Sequence, residues 1–227
     1  MQRTKTTQIF LSEIVAELGT MPRIALIWFA ILGALSASLD LVSWLHRPRF
    51  TPIDYLGLAV LVGASLTATY GGSMKMIDRS WSYKGLFRFV ATALAMLSPI
   101  ALALAFLSLA RVSQGWVAAS LAASLLGITF LSFLPGWPIL QATSRRFVGP
   151  WAALKLTKGL RWQLVLASVL TSSLNKAVPS TSTAENFTGA SLLAALSGVV
   201  TCFSLMLAAA IAVSAWKHMT SETADLG

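Results

Sequence analysis

Residues 89–110 read FVATALAMLSPIALALAFLSLA, twenty-two positions without a single charge. An α-helix needs about 20 predominantly apolar residues to cross the ~30 Å hydrocarbon core of a bilayer. Strands of a membrane barrel would instead alternate polar and apolar side chains over about ten residues, and this stretch does not alternate. Its reading as a transmembrane helix decides the fold, because five further stretches share its character: 24–45, 55–72, 116–141, 162–175 and 188–216. Together the six cover 131 residues and contain one charged side chain, Asp40. The shortest, 162–175, reaches spanning length by borrowing Leu160, Arg161 and Lys176–Val178, with Arg161 snorkelling to the interface. The expected fold is all-α integral membrane, six transmembrane helices in a single polytopic domain over residues 1–227.

Composition agrees. The chain is 56% hydrophobic and 11% charged, with a mean hydropathy of +0.73. A soluble domain carries about 25% charged residues, so a soluble single-domain enzyme, a secreted disulfide scaffold and a nucleic-acid-binding domain are excluded. The net charge of +9 would point to nucleic acid in a soluble protein. Here the cations flank apolar stretches, where they set topology and meet anionic lipid headgroups. The one cysteine, Cys202, lies within an apolar run and reads as a small hydrophobe.

Orientation follows from counting cations between the spans. Arg3, Lys5, Arg23, Lys75, Arg79, Lys84, Arg88, Arg145, Arg146, Lys155, Lys158, Arg161 and Lys217 fall on one side, thirteen against the four of Arg47, Arg49, Arg111 and Lys176. The positive-inside rule puts the thirteen, and both termini, in the cytoplasm. An even number of spans requires the same. Glu13 and Glu17 interrupt the first 20 residues, so the first span is expected to act as an uncleaved anchor rather than a signal peptide. The sequon Asn186-Phe187-Thr188 lies against the membrane and reads as incidental.

The cytoplasmic segments carry a second pattern. Phe10, Ile14 and Leu18 form a stripe in 7–18; Met74, Ile77 and Trp81 do so in 73–84; Phe147, Trp151 and Leu154 do so in 143–158. Each predicts an interfacial amphipathic helix, apolar side toward lipid and basic side toward anionic headgroups. The basic side comprises Lys75, Arg79, Lys84, Arg145, Arg146, Lys155, Lys158 and Arg161 as expected headgroup contacts. Gly19, Gly85 and Gly159 follow the three segments, placed to adopt the left-handed conformation that ends a helix. Lys84-Gly85-Leu86 and Lys158-Gly159-Leu160 share wording, which suggests a threefold repeat of interfacial helix plus hairpin, with units 1–72, 73–142 and 143–227. The competing reading is that any cytoplasmic loop of such a protein is basic and aromatic. Within the spans, Ala64, Ala68 and Gly72 lie at a spacing that admits close helix packing, and Pro99, Pro135 and Pro138 predict kinks. Trp116, Trp137, Trp151, Trp162 and Trp216 read as interfacial anchors.

The stretch from Phe147 to Leu170, with Leu156-Thr157-Lys158-Gly159 and then Arg161-Trp162 opening a span, resembles a segment of the YciC-like small bacterial inner-membrane proteins. These are relatives of the membrane domain attached to some glycerophosphodiester phosphodiesterases. The resemblance covers about 25 residues. It implies a bacterial cytoplasmic-membrane protein without a reaction of its own, since the phosphodiesterase chemistry of that group belongs to a separate soluble domain.

Chemistry is hard to find in the residues. The two histidines, His46 and His218, fall near span ends on opposite faces, and no HExxH, GxSxG or pair of intramembrane aspartates occurs. No catalytic residue, cofactor or metal site is therefore assigned. An ionised acid within a span costs ~3 kcal/mol on insertion scales, which singles out Asp40. It reads either as a proton, cation or ligand site, or as a structural acid paired with Arg47, Arg49 or Arg111 near the outer end of its span. Thr171, Ser172 and Asn175 are expected to line a polar pocket with it, or else to be a fraying helix end. Two functions from different classes follow. One is a non-enzymatic scaffold that interacts with membrane lipids, anionic headgroups above all, and organises a protein partner. The other is a transporter of ions or small molecules, or a transport-complex subunit. An inward-facing Asp40 favours transport; a rim position beside an arginine favours the scaffold.

Overall fold

The computed structural model describes residues 2–46, 52–109, 115–144 and 146–224. Every regular element among them is helical: α1 (Gln2–Gly19), α2 (Arg23–Leu45), α3 (Pro52–Met76), α4 (Tyr83–Leu109), α5 (Gly115–Phe133), α6 (Trp137–Thr143), α7 (Pro150–Leu156), α8 (Arg161–Lys176) and α9 (Phe187–Ala224), with 3-10 turns at Lys158–Leu160 and Thr181–Thr183. Among the described residues five segments are long and apolar enough to cross a membrane: Arg23–Leu45, Leu56–Met76, Tyr83–Leu109, Trp116–Phe133 and Phe187–Ser221. α8 is not among them. Its 16 residues rise about 24 Å, and its polar side chains lower its mean apolarity.

By contacts the chain forms two compact units, residues 1–10, 81–168 and 211–227 in the first and 11–80 and 169–210 in the second. In the first, α4 and α5 pair antiparallel: Phe106 stacks on Trp116 with ring centroids 5.4 Å apart, and Ser120 Oγ donates to the Ala103 carbonyl at 2.8 Å. Pro99 sits inside α4 and cannot donate to the carbonyl four residues back. Ser98 Oγ fills the gap, donating to Ala95 O at 2.8 Å. Met96, Leu134, Trp137, Leu140, Ala153, Leu154 and Met219 make the core of this unit.

In the second unit α2 and the first part of α9 run antiparallel. Trp44 meets Phe187 edge to face at 6.2 Å, and further along the pair Gly33 lies against Gly198. A Cβ on Gly33 would fall on the Gly198 carbonyl oxygen, and one on Gly198 would come within 2.6 Å of Gly33 O. Only glycine permits that approach, the small-residue contact by which helices associate in lipid. Met21, Ala25, Phe29, Leu32, Ala68 and Ala209 form the core beneath it. Of the spacing read in the sequence, Ala68 is buried and Gly72 seats the Phe29 ring. The two glycines are 165 residues apart in the chain, and their pairing carries no local signal.

Four expectations fail, each for a local reason. Residues 73–84 are not an interfacial helix. α3 continues to Met76 and the chain turns at once, with Arg79 N donating to Met74 O at 2.8 Å and Asp78 N to Lys75 O at 3.3 Å. That pair of bonds, with Asp78 at φ 53°, is the paired-bond helix terminus in which the residue past the cap is left-handed. No described glycine has positive φ, so Gly19, Gly85 and Gly159 do not play the part expected of them. Residues 143–158 are not one helix either. α6 ends at Thr143, and α7 restarts at Pro150 after Gly149, because proline fits a first turn but restricts the residue before it. Phe147 therefore lies outside any helix. Finally, the α1 stripe faces protein: Phe10 and Ile14 are buried and Leu18 packs on the second unit's core, while Leu11 and Val15 are the exposed pair. The prolines near 135 do more than kink, since Pro135 ends α5 and α6 begins anew two residues later.

A left-handed non-glycine residue carries a steric cost of roughly 1–2 kcal/mol, less for aspartate. Asp78→Gly is expected to raise stability by about 0.5–1 kcal/mol and Asp78→Val to lower it, checked by thermal unfolding in detergent.

Candidate membrane-interface site

The segment from Leu134 to Arg161 in the first unit is broken into two short helices and a 3-10 turn, and side chains tie the breaks together. Gly136 lets α6 approach α9 closely, since a Cβ there would lie 2.7 Å from Trp216 N. Trp137 Nε1 donates to Val148 O at 2.8 Å, and Gln141 Nε2 donates to the same carbonyl. Trp216 Nε1 donates to Thr143 Oγ1 at 3.1 Å, while Thr143 Oγ1 donates back to Ile139 O at 2.9 Å. Two arginines finish the frame: Arg88 donates to Ser144 O at 2.6 Å, at the end of α6, and Arg161 donates to Leu154 O at 3.2 Å, in the last turn of α7. Unpaired backbone groups are costly away from water. This network supplies partners where the helices stop.

The same unit carries the most exposed aromatic side chains. Tyr83 (84% exposed), Phe147 (78%), Phe87 (75%), Trp162 (72%) and Trp151 (70%) are the five most exposed large apolar side chains among the described residues. All belong to the first unit. Exposed with them are Lys84, Arg146, Lys155, Lys158 and Arg161. No Asp or Glu occurs anywhere between Asp78 and Glu185, so segment 81–168 offers its own cations no counter-charge. Aromatic rings and cations together are the side chains that favour the membrane–water interface. Of the other expected headgroup contacts, Lys75 and Arg79 are exposed at the end of α3, and Arg145 lies outside the described residues. Of the tryptophans, Trp137 is buried and hydrogen-bonded rather than an anchor.

The polar site expected around Asp40 takes a different form. Asp40 is half-buried on α2, and Ser197 of α9 donates to its Oδ2 at 2.8 Å. Ser172 of α8 is exposed, Thr171 is half-buried with an interaction of its own, and the Asn175 side chain lies outside the described residues. Arg47, Arg49 and Arg111 also lie outside them. Ser197 stands in a long apolar run and had no signal marking it as a partner.

A second pair went unread in the sequence. His46 caps the C-terminus of α2 and Asp54 sits in the first turn of α3. Nδ1 of His46 is 3.1 Å from Asp54 Oδ1, and Ser43 Oγ is within 3.5 Å of the same oxygen. The Asp54 side chain is almost wholly buried. Its signal was its helix position: a carboxylate is favoured at a helix N-terminus and a histidine at a C-terminus. Among the described residues no three His, Cys, Asp or Glu side chains converge on a metal-sized site.

The chain matches no protein-family model, no curated protein and no solved structure.

Because Trp137 and Gln141 share one acceptor, each alone is expected to be replaceable at about 1 kcal/mol. Trp137→Phe with Gln141→Leu leaves the Val148 carbonyl unpaired and is expected to cost more than the sum of the singles, read as a coupling energy from a thermal-unfolding double-mutant cycle.

Proposed function

We propose that the protein is a non-enzymatic, lipid-interacting scaffold of the bacterial cytoplasmic membrane, with both termini cytoplasmic and the 134–161 segment lying at the cytoplasmic headgroup level. The observation that carries this reading is that the five most exposed aromatics and the exposed cations Lys84, Arg146, Lys155, Lys158 and Arg161 all belong to the first unit, whose segment 81–168 holds no Asp or Glu. Such a surface is costly in water and complementary to an anionic lipid leaflet, where each Lys or Arg contributes about 1 kcal/mol. Lys155 and Lys158 and the rings of Trp151 and Trp162 supply the headgroup contacts of the first unit, with Arg146 and Lys84 adding to them, while Lys75 and Arg79 make headgroup contacts of their own on the second unit.

In this reading α8 is the sixth crossing. Its ~24 Å rise falls short of the hydrocarbon thickness, but Arg161 and Lys176 close its two ends and can snorkel to the headgroups. The 3-10 turn before it adds length. Six crossings then agree with the distribution of cations. The resemblance of 147–170 to the YciC-like proteins points the same way, and a protein partner docks on this scaffold in the plane of the membrane.

A second reading, transport of an ion or small molecule, is favoured by Asp40. Its carboxylate meets α9 through Ser197 instead of a described cation, and acids within spans commonly serve ion paths. Flux of protons or cations into liposomes that vanishes in Asp40→Asn would select it.

The scaffold reading is tested by the triple variant Arg146→Gln, Lys155→Gln, Lys158→Gln, which spares the two arginines holding the frame. Its association constant for anionic over zwitterionic lipid, measured by native mass spectrometry, is expected to fall at least about tenfold, given ~1 kcal/mol per charge. An unchanged preference contradicts the reading.

A further inference from the structure

The glycine contact between α2 and α9 has two unlike sides. One is an apolar groove, to which α9 turns Ala195, Val199 and Cys202. Two residues on from each, about 200° round the helix, stand Ser197, Thr201 and Ser204. These three share a face of α9 turned away from the groove. Asp40 of α2 meets that face, accepting from Ser197 Oγ at 2.8 Å.

Hydroxyls in apolar helices commonly bond back to their own backbone, as Ser38 does to Ala34 O and Thr67 to Gly63 O. Three serines of the second unit depart from this habit. Ser197 donates to Asp40, Ser43 Oγ lies within 3.5 Å of Asp54 Oδ1, and Ser204 Oγ is buried with no partner among the described residues. A buried hydroxyl left without a partner is costly, so Ser204 calls for a bridging water.

In order along the helices these groups form a row. His46, partly exposed at the end of α2, lies 3.1 Å from the buried Asp54 carboxylate. Ser43 adjoins that carboxylate, and Asp40 follows one turn back along α2. Ser197, Thr201 and Ser204 continue it on α9. Helix neighbours one turn apart are separated by about 5–6 Å, the span of two hydrogen bonds through one water. Ser204 lies about 25 Å along α9 from Phe187, so the row runs through most of a ~30 Å hydrocarbon layer.

The chemistry of the row selects what it carries. A hard divalent cation takes about six oxygens or more, and the Asp40 carboxylate with the Ser197 hydroxyl falls well short of that set. A proton needs one acceptor at a time. Imidazole, carboxyl and hydroxyl each take one and give one.

We propose that this row is a proton path leading inward from the His46 end of α2, with Asp40 as the group that holds the proton between steps. The proposal rests on the transport reading and names its substrate and its entrance. His46 takes a proton from water at Nε2 and passes the one on Nδ1 to the Asp54 carboxylate. Through Ser43 and water, each oxygen gaining one proton as it releases another, the charge reaches Asp40. Only O–H and N–H bonds change, and no electrons are transferred.

The test uses the full chain in liposomes loaded with a pH-sensitive dye, with a potassium gradient and valinomycin setting the potential. The wild type is expected to carry protons and Asp40→Asn to stop. His46→Ala and Asp54→Asn are each expected to slow the flux at least about tenfold, the low end of what a positioned proton-transfer group contributes. Added imidazole is expected to restore His46→Ala severalfold and to leave Asp54→Asn slow, a recovery that a purely structural histidine would not give. Ser43→Ala, expected to slow the flux severalfold, serves if Asp54→Asn does not fold. Flux that Asp40→Asn stops while His46→Ala and Asp54→Asn leave it unchanged overturns the path and keeps the transport reading. No flux in the wild type overturns both. Sodium uptake without acidification overturns the proton as substrate.

Discussion

A chain dissolved in hydrocarbon has no water to satisfy its backbone, so each N–H and C=O must find a partner within the protein. The long helices meet this condition by themselves, which is why apolar runs of twenty residues fold as they do. The demand is felt where helices stop. At Pro99 a serine hydroxyl replaces the missing donor. Between Leu134 and Arg161 the indoles of Trp137 and Trp216, the Gln141 amide and the guanidinium groups of Arg88 and Arg161 do the same work for several chain ends at once. The irregular segment is held together by these side chains, and it displays Phe147, Trp151, Arg146, Lys155 and Lys158, while Tyr83, Lys84, Phe87 and Trp162 of the same unit are exposed outside it.

Close packing is the second requirement, since lipid gives helices no hydrophobic reason to associate. The Gly33–Gly198 contact answers it in the second unit, and Gly136 against the backbone of α9 answers it in the first. The same small residues that permit contact leave concavities beside it. A groove next to a glycine crossing is thus a by-product of how the helices meet.

Much of the helical pattern was legible because transfer into lipid is a property of composition over twenty residues. Asp78 shows where that legibility ends: a left-handed turn at an aspartate, fixed by two backbone bonds, cut short what the Met74, Ile77 and Trp81 periodicity presented as a helix. Gly149-Pro150 likewise outweighs the Phe147, Trp151 and Leu154 stripe, and there the helix breakers are visible in the sequence itself. In α1 the periodicity was sound but its partner was misassigned, because a stripe says that a face is buried and not against what. The sites were less readable still. Asp40 stood out by its charge, yet its partner Ser197 is 157 residues away, and the His46–Asp54 pair depends on two helix ends meeting in space.

The central claim is that residues 134–162 lie at the headgroup level of a membrane. Its most direct test is a depth measurement by electron paramagnetic resonance, comparing oxygen with a water-soluble nickel relaxant. Spin labels are placed through Phe147→Cys, Trp151→Cys and Trp162→Cys, one at a time in a Cys202→Ala background, in anionic vesicles. The account predicts all three labels within the headgroup layer, partly accessible to both relaxants. Labels accessible to nickel as freely as in bulk water, or buried at the bilayer centre, would contradict it.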